Sequence, residues 1–385
     1  MTLRSPVSEP QAVKNLAVAR ALELGAAAVR VASATPDGAT LEAMRRAFAR
    51  DDFSTWRYDE TYAAHASSPA HILPGARSVL CVAMPYATPQ PARLPLHGRV
   101  SNYAWSRDYH RRLRALLADV AAVMDARAGE PVTAVACDTK PLAERAFAAR
   151  AGLGWVGKHT NVISPEFGSF VFLGEIVTTL DLPADLPLRK SCGSCARCVS
   201  ACPTGALRGD YTIDATRCIA DLNQRTDAIP RDMRAVIGDW VWGCDICQLA
   251  CPPTQLAGSN ATPSNAPYSQ ASGTPSLVAL LGLKSGDFKR TFAPTAMGWR
   301  GAAVLRRNAA VALGNALDRS AVPALIDALK RDPHALVRGH AAWALGRIGS
   351  PAAIAVLRDR ADGEADESVC EEIAAALEPY TTAGR

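Results

Sequence analysis

Two hydrophobic periods alternate through residues 1–181, and together they predict a layer of strands covered by helices. Short apolar runs bounded by turn residues are typical of buried strands, and three occur: SVLCVAMPY (78–86), VTAVACD (132–138) and SFVFLGEIVTTL (169–180). Between them, two segments repeat apolar residues with the 3.6-residue period of a helix and end in Gly, a common C-cap: DYHRRLRALLADVAAVMDARAG (108–129) and PLAERAFAARAG (141–152). We therefore predict an α/β domain over 1–181.

The C-terminal part carries an internal repeat. LRRNAAVALG, VRGHAAWALG and VCEEIAAAL begin at Leu305, Val337 and Val369, a spacing of 32 residues, and each has a helical apolar pattern. This period predicts all-α HEAT-like repeats, in which each helix pair buries its apolar face against its neighbours. A stretch rich in Pro, Ser, Gly and Asn precedes the repeats, so 257–385 is predicted to be a linker followed by the repeat domain.

Composition is that of a folded protein. With 385 residues, of which 49% are hydrophobic and 21% charged, the chain is long enough for two or three domains. The N-terminal residues lack the apolar core of a signal peptide, and no run of 18 apolar residues occurs. We expect a cytoplasmic protein without a membrane anchor, and the net charge of +5 does not change this expectation.

Cysteines are concentrated in 182–256. Of eleven, eight lie between Cys192 and Cys251, and in a reducing compartment such a group indicates metal binding rather than disulfides. The other three, Cys81, Cys137 and Cys370, lie in apolar surroundings and are expected to be buried structural thiols.

The spacing of these cysteines is that of a bacterial ferredoxin. The first run reads C-x2-C-x2-C-x3-C-P and the second C-x2-C-x3-C-P, and in this pattern the fourth thiolate of a run crosses to the other cluster. Zinc sites would require pairs of C-x2-C closed at four ligands. We therefore predict a ferredoxin-like domain over 182–256 with two 4Fe-4S clusters, one on Cys192, Cys195, Cys198 and Cys251, the other on Cys202, Cys218, Cys244 and Cys247.

A glycine-rich stretch, GLGWVGKH (152–159), matches the dinucleotide fingerprint only superficially. That fingerprint requires the glycines to leave a strand and open a helix, whereas here they follow a predicted helix. A phosphate loop would need Ser or Thr after Lys158, where this chain has His159. We do not expect a nucleotide here.

The segment from Asp138 to Leu182, DTKPLAERAFAARAGLGWVGKHTNVISPEFGSFVFLGEIVTTLDL, resembles the core of the epoxyqueuosine reductase family. The resemblance continues through CGSCARCVSACPTGA, GCDICQLACP and MGWRGAAVLRRNAAVALGN, although the family's GKNT is GKHT in this chain. It implies a cobalamin in the N-terminal domain, two 4Fe-4S clusters, and reduction of the epoxide of a modified tRNA wobble base. By position, the resemblance implies that four residues border the cobalamin: Asp138, Val162, Leu173 and Asp245.

Apart from the resemblance, the residues do not establish whether a cobalamin is bound. A D-x-H-x-x-G motif, which supplies a histidine to cobalt in some proteins, is absent, because Asp108-Tyr-His110 is followed by Arg-Arg-Leu. Either the corrin binds without a protein ligand, as the resemblance implies, or there is no corrin.

Asp138 is our candidate proton donor. Converting an epoxide to an alkene consumes two electrons and releases the oxygen as water, so the site needs an acid. Asp138 ends a predicted strand, and a carboxyl in a low-dielectric pocket has a raised pKa suited to general acid catalysis. The alternative is that Asp138 caps the following helix.

The start of the repeat array is basic. Six basic residues and one acid, Asp287, lie between Lys284 and Arg307, whereas the C-terminal end from Asp362 is acidic. We expect this stretch to contact the phosphates of a tRNA anticodon stem-loop, the alternative being ordinary charged helix faces. The predicted contacts are Lys289, Arg300, Arg306, Arg307 and Arg338.

The function predicted from the sequence is therefore that of an α+β multidomain oxidoreductase, an epoxyqueuosine reductase. We expect a monomer that receives electrons from an external donor such as a flavodoxin or ferredoxin. Two alternatives stay open: another cobalamin and iron–sulfur reductase of the reductive dehalogenase type, and an electron carrier without enzymatic activity.

Overall fold

The computed structural model of the chain describes residues 9–53, 58–89, 91–257 and 273–380. Most of the predicted linker falls outside these ranges. Within them, no helix combines the length and apolar character that crossing a membrane requires.

The chain forms two compact units, each assembled from separate stretches. The first comprises Met1–Pro89, Asp108–Thr216 and Ile246–Asn265, and the second comprises Gln90–Arg107, Arg217–Asp245 and Ala266–Arg385. The division into three consecutive domains at 181 and 256 stays a prediction.

The strands are β1 Ala28–Ser33, β2 Ser78–Pro85, β3 Arg99–Val100, β4 Thr133–Ala136, β5 Trp155–Val156, β6 Val162–Ile163, β7 Val171–Thr178 and β8 Trp240–Trp242. The helices are α1 Glu9–Glu23, α2 Gly38–Ala49, α3 Glu60–Ala66, α4 Tyr109–Ala128, α5 Glu144–Arg150, α6 Arg197–Ala201, α7 Ile219–Leu222, α8 Arg231–Ile237, α9 Ile246–Leu249, α10 Pro252–Ala257, α11 Leu277–Leu281, α12 Ser285–Thr291, α13 Ala302–Ala316, α14 Val322–Arg331, α15 Ala335–Ile348, α16 Pro351–Ala361 and α17 Glu367–Leu377. Short 3-10 turns occur at Pro69–His71, Asn102–Ala104, Ala215–Arg217, Arg319–Ala321 and Glu378–Tyr380.

A four-stranded antiparallel sheet forms the centre of the first unit, in the order β1-β2-β7-β4. The three strands predicted from apolar runs are confirmed as β2, β4 and β7, and β1 was not predicted. Every residue of β2 is buried, as expected for a strand with both faces covered.

Helices cover both faces of this sheet. At Gly174 of β7 a side chain would come within 2.7 Å of Leu117, so glycine lets α4 pack closely on that face. The opposite face, which includes Val177, packs against Phe147 of α5 in an apolar cluster. Because side chains alternate along a strand, Glu175 of β7 shares the α5 face with Val177.

The glycine-rich stretch forms a hairpin rather than a nucleotide loop. Strands β5 and β6 pair antiparallel, and a Cβ at Gly154 would lie 2.3 Å from the carbonyl oxygen of Ile163. The glycine is therefore required by a close backbone approach.

The second unit contains the predicted helical repeats. The starting positions Leu305, Val337 and Val369 fall in α13, α15 and α17, which alternate with α14 and α16. Gly314 and Gly346, one period apart, repeat the same contact: a Cβ at the first would lie 2.9 Å from Ala344, and at the second 2.6 Å from Ala376. The 32-residue period thus places small residues where the equivalent helices of successive repeats meet.

Candidate functional site

Asp138 lies two residues beyond the end of β4, in a left-handed backbone conformation with φ of 55°. Its backbone N–H donates a hydrogen bond to Oε1 of Glu144, and its side chain is 57% exposed. We expected this carboxyl to face a low-dielectric pocket. Within the first unit that expectation is wrong, because β4 ends at Ala136 and the Asp138 side chain lies at the surface. The alternative is also wrong: the N-cap of α5 is Ala143, which makes no side-chain capping bond.

His110 lies between the carboxylates of Asp108 and Asp138 and contacts both. Its Nδ1 lies 2.6 Å from Oδ1 of Asp108 and its Nε2 lies 3.0 Å from Oδ2 of Asp138. Burial alone would lower the pKa of His110, but the hydrogen bonds with Asp108 and Asp138 outweigh it and raise the pKa to about 9. The imidazole is therefore protonated at neutral pH, and it presents its Nε2 proton to Asp138. Tyr109 stacks on its ring, with centroids 4.1 Å apart.

Two further carboxyl groups lie near Asp138, one fully buried and one partly buried. Glu175 is completely buried in β7, and Glu144 begins α5 on the same face of the sheet. The pKa of Glu144 is raised to about 7, chiefly by burial. The hydrogen bond from the Asp138 N–H lowers this pKa, whereas the negative charge of Asp138 raises it. Burial and the neighbouring charge of Glu144 likewise raise the pKa of Glu175, so the pair retains at least one proton at neutral pH.

Sequence reasoning missed both glutamates, although the sequence contained a sign of Glu175. A single acid in the middle of the apolar run SFVFLGEIVTTL is rare in a strand buried on both faces, because an ionised side chain there loses its hydration. Glu144 carries no such sign, since an acid in the first turn of a helix is ordinary.

Two tyrosines complete the surroundings of Asp138. The rings of Tyr58 and Tyr62 stack with centroids 4.0 Å apart. Burial raises the pKa of both phenols, and the negative charge of Asp138 raises it further. Both therefore stay protonated and can act as hydrogen-bond donors.

Four thiols of the first predicted cluster lie together in the first unit. Burial raises the pKa of Cys198, and the neighbouring charges of Cys192 and Cys251 raise it further. Burial also raises the pKa of Cys251, and the charges of Cys192 and Cys195 add to that increase. The backbone N–H of Lys158 donates to Sγ of Cys192 over 3.4 Å. Across the described residues, no three His, Cys, Asp or Glu side chains converge as a single metal ion would require. Four thiols of one unit supply the number of ligands that one 4Fe-4S cluster requires.

The second predicted set is divided between the two units. Cys202 and Cys247 belong to the first unit, whereas Cys218 and Cys244 belong to the second, so this ligand assignment stays a prediction. Burial would raise the pKa of Cys202, but hydrogen bonds from the Thr204 hydroxyl and from nearby backbone amides lower it overall. The thiolate, which is the form that binds iron, is thereby favoured.

The residues expected to border cobalamin differ in what they expose. In the first unit Val162 is 3% exposed and packs in the apolar core, whereas Leu173 is only partly buried. In the second unit Asp245 is fully buried and accepts hydrogen bonds from the Ser101 hydroxyl and the Asn102 backbone N–H. Burial raises the pKa of Asp245 to about 6.

The predicted phosphate contacts at Arg306, Arg307 and Arg338 are corrected by the structure. Arg307 is 0% exposed and donates to backbone carbonyls. Arg306 is 8% exposed and paired with Asp332, and Arg338 is paired with the buried Glu364. Helix packing turns these arginines inward, where they bond to the protein. Of the predicted set, Lys289 is exposed, and Arg300 is partly exposed with its guanidinium 3.7 Å from the centroid of the Trp299 ring.

Three family models match the chain. Residues 67–139 match "Epoxyqueuosine reductase QueG, DUF1730", residues 191–254 match the 4Fe-4S double cluster binding domain, and residues 300–378 match HEAT repeats. The cysteine segment is therefore a double 4Fe-4S cluster domain, and the C-terminal array consists of HEAT repeats.

Similarity to curated relatives and to solved structures extends over most of the chain. Epoxyqueuosine reductase of Bacillus cereus is 36% identical over 326 residues, covering 83% of this chain and 86% of that protein. The Xanthomonas campestris pv. campestris enzyme is 38% identical, covering 77% of this chain and 85% of that protein. A crystal structure of epoxyqueuosine reductase with an epoxyqueuosine-modified tRNA stem loop superimposes with a TM-score of 0.91 at 30% identity, covering 97% of this chain and 100% of that one. This chain therefore belongs to the epoxyqueuosine reductase family.

Proposed function

We propose that this protein reduces the epoxide of epoxyqueuosine at the tRNA wobble position to give queuosine. The observation that carries the proposal is the arrangement around Asp138: an exposed carboxylate, fixed by Glu144 through its backbone and paired with a protonated His110. The similarity to epoxyqueuosine reductases over most of the chain supports the choice of substrate.

The reaction balances with two electrons and two protons. Both carbon–oxygen bonds of the epoxide break, a carbon–carbon double bond forms, and the oxygen leaves as water. When bound, the two 4Fe-4S clusters would supply single electrons, and a cobalamin would supply the reducing chemistry at the epoxide. The departing oxygen must therefore receive two protons.

The Asp138–His110 pair is suited to the first proton transfer. One proton lies in the 3.0 Å contact between Nε2 of His110 and Oδ2 of Asp138, and Asp108 stabilises the imidazolium from its other side. The Nε2 proton of His110 passes to Oδ2 of Asp138 and from there to the epoxide oxygen, which leaves His110 neutral until solvent protonates it again. The carboxyl of Asp138 is exposed, and the hydrogen bond to Glu144 stabilises the left-handed backbone conformation of this residue.

We further propose that His110 is not a ligand of a bound cobalamin. Both ring nitrogens of His110 are engaged by carboxylates, so this histidine has no lone pair to offer to cobalt. Within the first unit, the exposed carboxyl of Asp138 could donate or accept a hydrogen bond with a corrin, and the partly buried Leu173 could add apolar contact.

We propose that tRNA phosphates contact the exposed cations at the start of the repeat domain. Lys284 and Lys289 are exposed, and Arg300 stacks on Trp299, which is itself 47% exposed. Phosphate contacts of this kind position a nucleic acid without reading its sequence. An external flavodoxin or ferredoxin would supply electrons, and the protein would act as a monomer in the cytoplasm, where tRNA is modified.

One experiment tests the reaction directly. The protein, reconstituted anaerobically with iron, sulfide and cobalamin, is incubated with epoxyqueuosine-containing tRNA and a low-potential reductant, and the nucleosides are measured by mass spectrometry. We expect queuosine to appear with loss of one oxygen from the substrate. Unchanged epoxyqueuosine in fully loaded protein would contradict the proposal.

A further inference from the structure

Arg307 is a buried cation with no carboxylate among its hydrogen-bond partners in the described part of the chain. It lies in α13 with 0% exposure, and burial lowers its pKa to about 9. Its guanidinium donates to Oδ1 of Asn308 and to four backbone carbonyl oxygens of one segment: those of Leu222 (3.3 Å), Asn223 (3.1 Å), Arg225 (2.8 Å) and Asp227 (2.6 Å). An arginine has five N–H groups in a fixed plane, so it can fix a stretch of irregular backbone in one conformation.

Asn308, the next residue, connects that segment to a second one. Its Nδ2 donates to the carbonyl oxygens of Asn223 (2.7 Å) and Val241 (2.8 Å), while its Oδ1 accepts from Nε of Arg307 (2.9 Å). Asn308 is 2% exposed, so both of its polar atoms are directed into the protein. One side chain thus holds two separate stretches of the second unit together.

Both stretches carry a predicted cluster ligand. Cys218 is the N-cap of the four-residue helix α7, which ends at Leu222, and its carbonyl accepts from the Leu222 backbone N–H over 2.8 Å. Cys244 directly follows Gly243, and the side chain of Asn223 makes two hydrogen bonds to the Gly243 backbone, of 2.8 and 2.9 Å. The chain of contacts therefore runs from Arg307 and Asn308, through Asn223, to the residues next to both cysteines.

We propose that Arg307 and Asn308 are positioning residues for Cys218 and Cys244, so that the first helix of the HEAT array is needed to assemble one 4Fe-4S cluster. The inference rests on the ligand set in our proposed function, and it does not depend on the substrate. Helix α7 has four residues and α8 has seven, too short to be stable alone, so outside contacts must fix the cysteines they flank. Partners that orient metal ligands in this way strongly affect metal binding.

Arg306 offers a matched control. It is the same residue type, adjacent in the same helix and almost as buried, but it donates to Asp332 and to the carbonyl oxygen of Leu283. Within the described residues, none of its hydrogen bonds reaches 217–245. Loss of Arg306 should weaken the array without releasing either cysteine.

The test counts iron in full-length protein reconstituted anaerobically with iron and sulfide. We compare Arg307→Ala, Asn308→Asp, Arg306→Ala and Cys218→Ala with wild type, and record iron per chain and the EPR spectrum after dithionite reduction. Asn308→Asp keeps the size of the side chain but removes its donors, so it stays informative if Arg307→Ala does not fold. Two clusters contain about eight irons. We expect Arg307→Ala and Asn308→Asp to fall toward four with the spectrum of one isolated cluster, and Arg306→Ala to retain eight.

Each other outcome has a distinct meaning. If Cys218→Ala loses one cluster while Arg307→Ala and Asn308→Asp retain both, the positioning role is wrong and the ligand set stands. If Arg306→Ala loses as much iron as Arg307→Ala, the effect is general unfolding and the inference is overturned. If Cys218→Ala retains eight irons, the ligand set itself is wrong, and the inference fails with it.

Discussion

The carboxyl group of Glu144 accepts a hydrogen bond from the backbone N–H of Asp138 and so fixes the exposed acid through its main chain. Asp138 has a positive φ, which costs a non-glycine residue of order 1 kcal/mol or more, and the bond to Glu144 offsets that cost. The side chain of Asp138 is left available for His110 and for a substrate. A partly buried residue thus positions an exposed one, and the two can be tested separately.

Asp138→Asn should reduce turnover by about 100-fold to 10,000-fold while both clusters and cobalamin remain bound, because the amide keeps the size of the side chain and cannot donate the acid proton. Single-turnover formation of queuosine measures the rate. Asp119→Asn is the matched control, since Asp119 is an exposed carboxyl of the same unit that pairs with Arg20. A wild-type rate for Asp138→Asn would exclude Asp138 as the proton donor.

Glu144→Gln should change the pH dependence of stability in a defined direction. In the folded protein the pKa of Glu144 is about 7, above its ordinary value of 4.5. The contribution of the protonated Glu144 to the free energy of unfolding is therefore fully present below about pH 4.5 and is lost as pH rises through 7. Glutamine keeps an acceptor for the Asp138 N–H but cannot ionise. The quantity to measure is the melting temperature of Glu144→Gln minus that of wild type. We expect this difference to be more positive at pH 8 than at pH 5. The same difference at both pH values would contradict the raised pKa.

His110→Gln should abolish the alkaline limb of the rate profile. His110 has a pKa raised to about 9, so the proton it shares with Asp138 is present at neutral pH and is lost as pH rises through 9. In wild type we expect turnover to fall above that pH, and in His110→Gln the lower residual rate should not show this fall. An alkaline limb that persists in the variant would belong to another group.

Lys289→Glu should weaken tRNA binding at low salt and flatten its salt dependence, because a phosphate contact releases bound counterions. Lys330→Glu is a suitable control, as Lys330 is also an exposed lysine of the repeat domain but pairs with Asp359. Fluorescence anisotropy with a labelled anticodon stem-loop measures both dissociation constants. Equal salt slopes for Lys289→Glu and wild type would place the tRNA contact elsewhere.

The sequence by itself determined the elements and the cofactor class. Strands β2, β4 and β7 followed from short apolar runs, the helical repeats from a 32-residue period, and the double 4Fe-4S domain from cysteine spacing. Each of these rests on a local pattern: strand and helix periods reflect backbone geometry, and a cluster constrains the residues between its ligands.

Only the tertiary structure decided which charged groups are exposed. Asp138 was expected in a low-dielectric pocket and is exposed, whereas the nearby Glu175 is fully buried and Glu144 is partly buried. Arg307 was expected to contact tRNA phosphates, but its side chain lies in the core. A helical or strand pattern shows that a residue has neighbours but not which backbone carbonyls or carboxyl groups those neighbours present. That depends on segments far apart in sequence, such as the 82 positions that separate Arg225 from Arg307, whose contact forms only when α13 packs against 217–245.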